Sequence, residues 1–230
     1  MNADLHCHSN VSDGLLSPAD VARRAHAGGV TLWALTDHDE IGGQAEARSE
    51  AEALGMRYLS GVEISVTWAS RTVHIVGLNI DPANPTLVDG LYRTRHGRAA
   101  RARAIGAQLA TLGIPDAYEG ALKYVSNPDL ISRTHFARFL VEHGHAESTS
   151  DVFDRLLGDG KPGFVPHRWA ALSDAVGWIR AAGGEAVVAH PGRYRYTPVE
   201  FDAFFGEFIE LGGRAIEVIT GSHTPDQYRE

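Results

Sequence analysis

Cysteine is almost absent: Cys7 is the only one in 230 residues. No disulfide can close within the chain, and the sequence predicts a reducing, cytoplasmic setting. Long apolar runs are missing too. None approaches the roughly 20 residues of a membrane helix, and the chain opens on a strand pattern rather than a charged-then-apolar leader, so no membrane association is expected. Positive charge is not in excess; the net charge of −8 argues against stable binding of duplex nucleic acid. There are no internal repeats and no low-complexity tracts. What remains, 43% hydrophobic and 22% charged, is the composition of an ordinary globular protein, of a length for one domain with an insertion or two small ones.

Histidine, by contrast, is plentiful, with twelve in the chain. Their placement carries the information. In the opening stretch MNADLHCHSNVSDG, Ala3, Leu5 and Cys7 alternate with Asp4, His6 and His8, the period of a strand. Residues i and i+2 of a strand share a face. His6 and His8 are therefore expected to project together, Cys7 to point the other way, and Asp13 to follow from the next turn. Two imidazoles and a carboxylate suit a borderline divalent metal such as Zn²⁺, Mn²⁺ or Fe²⁺. The plainer alternative is one histidine in the core and one in solvent.

The rest of the chain bears on that choice. Ser17-Pro18 reads as a helix cap and first helical residue, with Gly28-Gly29 as the stop. Val30 to Leu35 is a continuous apolar run, as in a strand covered on both faces, and it ends in Thr36-Asp37-His38-Asp39. A helix is expected from Gly43 to Leu54, then strands Tyr58 to Val66, carrying Glu63, and Val73 to Leu78, carrying His74. Leu87 to Leu112 reads as one long Arg-rich helix. From there to Pro166 the sequence is helical or irregular. Beyond it the alternation resumes with helix Ser173 to Ala182, strand Ala186 to Ala189, helix Pro198 to Leu211 and strand Ala215 to Thr220.

Alternating strands and helices imply parallel strands joined by helical crossovers. Active-site residues of such sheets gather at the carboxyl ends of the strands. His6 and His8, His38 and His190 all end strands, and Glu63 lies towards the end of its own; His74 alone sits early. Independent core histidines have no reason to cluster in this way, so the metal reading is preferred. The expected domains are a discontinuous barrel, 1–85 and 166–230, and an inserted helical cap, 86–165.

The ordered set His6-x-His8, Asp13-Gly14, Thr36-Asp37-His38-Asp39, Gly61-Val62-Glu63, His74 and Ala189-His190-Pro191 resembles the PHP (polymerase and histidinol phosphatase) family over nearly the whole chain. Within it, the insertion, Ile131-Ser132-Arg133-Thr134-His135, Gly160-Lys161-Pro162-Gly163 and Gly221-Ser222-His223 are similar to the nucleoside 3′,5′-bisphosphate phosphatases. These remove the 3′-phosphate of pAp-type nucleotides, and related members degrade short RNA from the 5′ end. The resemblance implies an α/β fold, a distorted (β/α)₇ TIM-like barrel, with two or three divalent metals, Mn²⁺ first and Fe or Zn²⁺ after it. It also implies the ligand set. His6, His8 and Glu63 would hold one metal, Glu63, His74 and His190 a second, and Asp13 and His38 a third, with Asp13, His38 and Glu63 as the catalytic residues. Members of the family end in a Gly-Ser-Asp-x-His segment supplying one more Asp and His. This chain stops at Glu230, and the expectation is a sequence truncated before its last strand or strands, rather than a protein lacking those ligands.

Arg93, Arg95, Arg98, Arg101 and Arg103 fall within eleven residues. Arg93 and Arg95 read as a solvated face. Arg98 and Arg101 share a helix face and, with Arg133, are candidates to hold a second phosphate by bidentate hydrogen bonds. The expected substrate contacts are Asp13, His38, Arg98, Arg101, Arg133, Thr134 and His135. Tyr124, Trp169 and Tyr194 are expected to pack rather than stack on a base. Asp37 and Asp39 are candidates to orient His38, and Glu217 faces either side of its strand. The expected enzyme is a monomeric metal-dependent phosphatase acting on a nucleotide or short oligonucleotide. The alternatives are a histidinol-phosphatase-like monoester phosphatase and a non-catalytic metal-binding module.

Overall fold

The computed structural model describes residues 1–221 and 223–229; Ser222 of the Gly221-Ser222-His223 segment and the final Glu230 lie outside the described residues. The chain forms two compact units. One comprises Met1–Ser9, Leu16–Thr94 and Arg168–Glu230, the other Asn10–Leu15 and Arg95–His167. The elements, in order, begin with β1 (Ala3–Asp4), α1 (Pro18–Ala27), β2 (Leu32–Leu35), α2 (Gln44–Ala53), β3 (Arg57–Trp68), β4 (Arg71–Leu78) and α3 (Pro85–Arg95). The helices α4 (Arg98–Thr111), α5 (Ala117–Leu122), α6 (Arg133–Glu142) and α7 (Thr149–Val152) come next. Then follow α8 (Leu172–Ala181), β5 (Glu185–Val188), α9 (Pro198–Glu210) and β6 (Ala215–Ile216).

The first unit is α/β. Among the described residues its six strands form one sheet in sequence order, β1 to β6. Covered on both faces, β2 is buried along its whole length, as its unbroken apolar run requires. Ser17 caps α1, accepting the Asp20 N–H at 3.2 Å, with Pro18 in the first turn. Ile64, Val66, Ile75, Val176, Ile179, Phe204 and Phe208 form the main core. Trp33, Leu35 and Met56 pack beneath α1 and α2.

The expectation of parallel strands throughout is corrected. β1, β2 and β3 run parallel, as do β5 and β6, but β4 is antiparallel to both β3 and β5. The reason is local. Trp68 pairs with Arg71, so Ala69 and Ser70 alone make the turn, and both have positive φ (45° and 63°). Two left-handed residues form the primed turn whose twist matches a hairpin, and two residues are far too few for a crossover.

The second unit is helical, with a core of Ile105, Leu109, Phe136, Phe139, Leu140 and Leu157. The single long helix expected from Leu87 to Leu112 is two helices, α3 and α4, interrupted at His96-Gly97. Gly97 sits where a Cβ would lie 2.2 Å from the His167 ring, so close packing there demands the residue least able to sustain a helix. After α7 the chain widens into a π turn, Phe153–Leu157. No helix among the described residues is long and apolar enough to cross a membrane.

Candidate metal centre

The site is built around Glu63, a carboxylate 1% exposed near the middle of β3. Its strand is held to the end of β2 by backbone pairing. The Glu63 N–H donates to Asp37 O (3.1 Å), and Glu63 O accepts the Asp39 N–H (2.9 Å). Gly61 allows this approach, since a Cβ there would meet Thr36 and Leu35 O at 2.7 and 2.8 Å. The Gln44 amide, which sequence reasoning overlooked, ties the same strands by donating to Leu35 O and Gly61 O at 3.0 and 2.8 Å.

Five imidazoles converge on that carboxylate. Oε2 lies 3.2 Å from His6 Nε2, 3.0 Å from His8 Nε2 and 3.0 Å from His38 Nδ1. Oε1 lies 3.0 Å from His74 Nδ1 and 2.9 Å from His190 Nε2. The nitrogens also approach one another, with His6 Nε2 to His8 Nε2 at 3.2 Å and His74 Nδ1 to His190 Nε2 at 3.3 Å. Among the described residues, two sets of ligand atoms are compact enough to hold an ion, His6, Glu63 and His190, and His8, His38 and Glu63. β1 is shorter than the sequence pattern suggests, so His6 and His8 follow it on extended chain rather than within it.

His74 enters because β4 is antiparallel. Ser65 pairs with His74 and Glu63 with Val76, so the start of β4 lies beside the end of β3. The Tyr194 hydroxyl fixes that edge. It accepts the His74 N–H at 2.8 Å and donates to Ala189 O at 2.8 Å. Trp169 is buried, its indole N–H on Thr72 Oγ1 at 3.3 Å. Asp37 accepts the Ser9 N–H and hydroxyl (2.8 and 2.7 Å), and Asp39 accepts those of Ser65 (2.7 and 2.9 Å); each carboxylate thus braces a loop bordering the ligands. Cys7 is half-buried, its thiol donating to Ala34 O at 3.3 Å while the Trp33 indole N–H points at its sulfur at 3.1 Å. His223 is occupied. Its Nε2 accepts the Gly192 N–H at 3.1 Å and its Nδ1–H donates to Val218 O at 2.8 Å.

The face of Glu217 is indeterminate from sequence, where a strand is expected to run to Thr220; β6 is only two residues long and ends at Ile216, just before it. Glu217 accepts from His6 Nδ1 at 2.7 Å and from the His190 N–H at 2.7 Å. An open cavity of about 640 Å³ is lined by His6, His8, His190 and Glu217 together with residues of β1 and β6.

Electrostatics rule out five cations here. Burial lowers the His190 pKa to about 4, against the opposing hydrogen bond to Glu63. Burial also works against charge on His6, but the Glu63 carboxylate and the Glu217 hydrogen bond outweigh it and raise that pKa to about 9. Glu63 itself is buried, which would favour its neutral form, yet the charges of His38, His74 and His6 hold it well below the usual carboxylate range. A buried carboxylate ringed by five imidazole nitrogens is chemically a divalent-metal donor set. The residues present fit such an ion.

Asp13, Arg98, Arg101, Arg133, Thr134 and His135 belong to the second unit. There, Arg138 donates to the Asp13 carbonyl oxygen. Arg101 Nε donates to Val165 O at 3.0 Å, and Arg133 donates to Leu157 O at 3.2 Å and to Asp159 at 3.1 Å. Burial, then the Arg133 and Arg98 guanidiniums, lower the Arg101 pKa to about 9. The His135 ring is fully buried and accepts the Ser132 N–H on Nδ1 at 3.0 Å; burial lowers its pKa to about 4. Thr134 is the second residue of α6.

The sequence profile of the PHP domain matches residues 4–157. The chain belongs to the PHP domain family. A 3′,5′-nucleoside bisphosphate phosphatase of Chromobacterium violaceum is 52% identical over 98% of this chain and 79% of its own length. A 5′-3′ exoribonuclease of Haemophilus influenzae is 42% identical over 97% of this chain and 81% of its own. Among solved structures, a C. violaceum amidohydrolase with bound sulfate and no metal superimposes with a TM-score of 0.97 at 51% identity, covering all of this chain (100%) and 81% of that one.

Proposed function

We propose that this PHP protein is a metal-dependent phosphoesterase that removes the 3′-phosphate of nucleoside 3′,5′-bisphosphates and also trims short RNA from its 5′ end. The observation that carries the reading is the ring of five imidazoles around Glu63, divided between its two oxygens. The name of the C. violaceum relative supports the bisphosphate substrate, and that of the H. influenzae relative supports the RNA. The barrel is taken to be the family's distorted (β/α)₇ type, with the second unit as its cap.

Two or three divalent metals, Mn²⁺ foremost, would be held by His6, His8, His38, Glu63, His74 and His190, with Asp13 a further candidate ligand and a catalytic candidate beside His38 and Glu63. Bound there, metals supply an acidified water as nucleophile and neutralise phosphoryl charge. The chain's own part is to hold that centre fixed. Glu63 stays ionised among the imidazoles, and Tyr194, Asp37 and Asp39 immobilise the loops that bear them. In the second unit, the Arg98 and Arg133 guanidiniums bear on Arg101 and lower its pKa, and Arg133 pairs with Asp159 at 3.1 Å. Such a concentration of planar, multidentate positive charge is suited to the second phosphate. A sulfate in the superimposable C. violaceum structure fits a fold that binds tetrahedral oxyanions.

The test is phosphate release from pAp with Mn²⁺, compared with a 5′-monophosphate and with histidinol phosphate. Preference for pAp is expected; equal or faster turnover of histidinol phosphate would overturn the nucleotide assignment. Purified protein without bound metal or uptake of it would instead favour a non-catalytic module.

A further inference from the structure

We infer that Glu217 is a positioning residue of this centre, one that fixes His6 and the turn at His190 so that both imidazoles present Nε2 to Glu63. The inference rests on the metal reading above and concerns a residue outside the ligand set. The geometry is that of two carboxylates on opposite sides of the same histidines. His6 Nδ1 is 2.7 Å from Glu217 Oε1, while its Nε2 is 3.2 Å from Glu63 Oε2. With the Nδ1 proton committed to Glu217, Nε2 is the nitrogen left to act as a ligand.

The other Glu217 oxygen takes the backbone N–H of His190 at 2.7 Å. His190 needs that support. It adopts a left-handed conformation, φ 31°, which a residue with a side chain rarely sustains, and Pro191 follows it. That turn aims Nε2 at Glu63 Oε1, 2.9 Å away. Glu217 is itself anchored, its N–H donating to Val188 O at 3.0 Å where β6 pairs with β5.

Both groups hydrogen-bonded to Glu217 act as donors here, and a carboxylate meets each with one oxygen. Glutamine has one acceptor oxygen, so it either leaves His6 or His190 unbonded or donates its NH2 to His6 Nδ1, which moves the imidazole proton to Nε2, the nitrogen a metal needs. Aspartate is one methylene too short to span the same pair.

Metal-stripped wild type, Glu217→Gln and Glu217→Ala are titrated with Zn²⁺ calorimetrically, and the imidazole N–H region is recorded by ¹H–¹⁵N NMR without metal. Wild type is expected to show a slowly exchanging, downfield His6 Nδ1–H that disappears in Glu217→Ala. Zn²⁺ affinity is expected to fall about 10- to 100-fold in both variants, the magnitude typical of partners that orient metal-binding histidines. Unchanged affinity in both overturns the inference. Should Glu217→Ala not fold, the isosteric Glu217→Gln carries the titration. If wild type takes up no Zn²⁺, the metal reading fails by itself. The N–H resonance then decides Glu217, its loss in the variant upholding the clamp and its absence from wild type overturning it.

Discussion

His74 Nδ1 lies 3.0 Å from Glu63 Oε1, although the two residues belong to strands that run in opposite directions. The contact depends on the hairpin that reverses the chain at Ala69-Ser70. Without the reversal, a residue near the start of a strand would sit at the far end of the sheet from the other ligands.

That hairpin can be improved without touching the site. Both turn residues hold positive φ, a conformation costing an ordinary residue roughly 1 kcal/mol or more. Asn-Gly is the pair this turn prefers. The double variant Ala69→Asn/Ser70→Gly is expected to stabilise the protein by about 1 kcal/mol, read as a rise in urea midpoint at constant slope, with metal uptake unchanged. A loss of stability would show that the left-handed pair is not what makes the turn.

Removing the shared carboxylate should have the largest functional effect. Glu63→Gln keeps the shape but withdraws the charge that five imidazoles face. Metal content measured by elemental analysis is expected to fall below one ion per chain, and phosphatase activity to drop by at least about 10³-fold, as when both charge neutralisation and the nucleophile are lost. Retention of two ions per chain in this variant would break the assignment of Glu63 as a shared ligand.

The arginine cluster makes a different prediction, since it concerns recognition rather than chemistry. Arg101→Ala is expected to lower kcat/KM for a bisphosphate by about 10- to 100-fold, the value of one charged hydrogen-bonding partner of about 1.5–3 kcal/mol, and to leave a plain 5′-monophosphate nearly unaffected. Arg101→Lys should recover little, because a point charge does not replace a planar fork. Equal losses on both substrates would place Arg101 in structure rather than selectivity.

Much of this centre is legible from the order of residues. His6, His8, His38 and His190 stand just beyond strand ends because an α/β sheet delivers chemistry there, and sequence periodicity marks where strands end; Glu63, expected towards the end of its strand, lies mid-strand because β3 runs on to Trp68. His74 was the anomaly, and two residues between strands explain it: Ala69-Ser70 contains no glycine, so the turn gave no signal by composition. The role of Glu217 stays open in the sequence, and Gln44 gives no signal there, for a related reason. Their roles depend on which groups lie across the sheet, and pairing between strands distant in sequence leaves no local pattern. The break at His96-Gly97 turns on one cross-packed ring, that of His167, seventy residues on.

Titration ties the ligands to the fold and gives the last prediction. His190 and His135 are held near pKa 4, below their ordinary 6.5. Between those values the unfolded chain binds protons that the folded protein does not, so stability of the metal-free protein falls as pH drops from 6.5 towards 4. Glu63, whose pKa is depressed, acts in the same direction, its contribution present above about 4.5 and lost on acidification. His6 acts oppositely. Its pKa is raised to about 9, so its contribution is complete below 6.5 and is lost as pH rises through 9. Metal-free protein should therefore be most stable near pH 6.5, with an acid-side loss on the order of 3 kcal/mol at most for each of the two buried histidines. Urea midpoints at pH 4.5, 6.5 and 9 in the presence of chelator measure this. Metal binding at His6 Nε2 requires its proton to leave, so saturating Zn²⁺ should release protons at pH 7 and flatten the alkaline decline. A metal-free protein whose stability rises steadily from pH 6.5 to 9 would contradict the charged His6 that Glu63 and Glu217 hold between them.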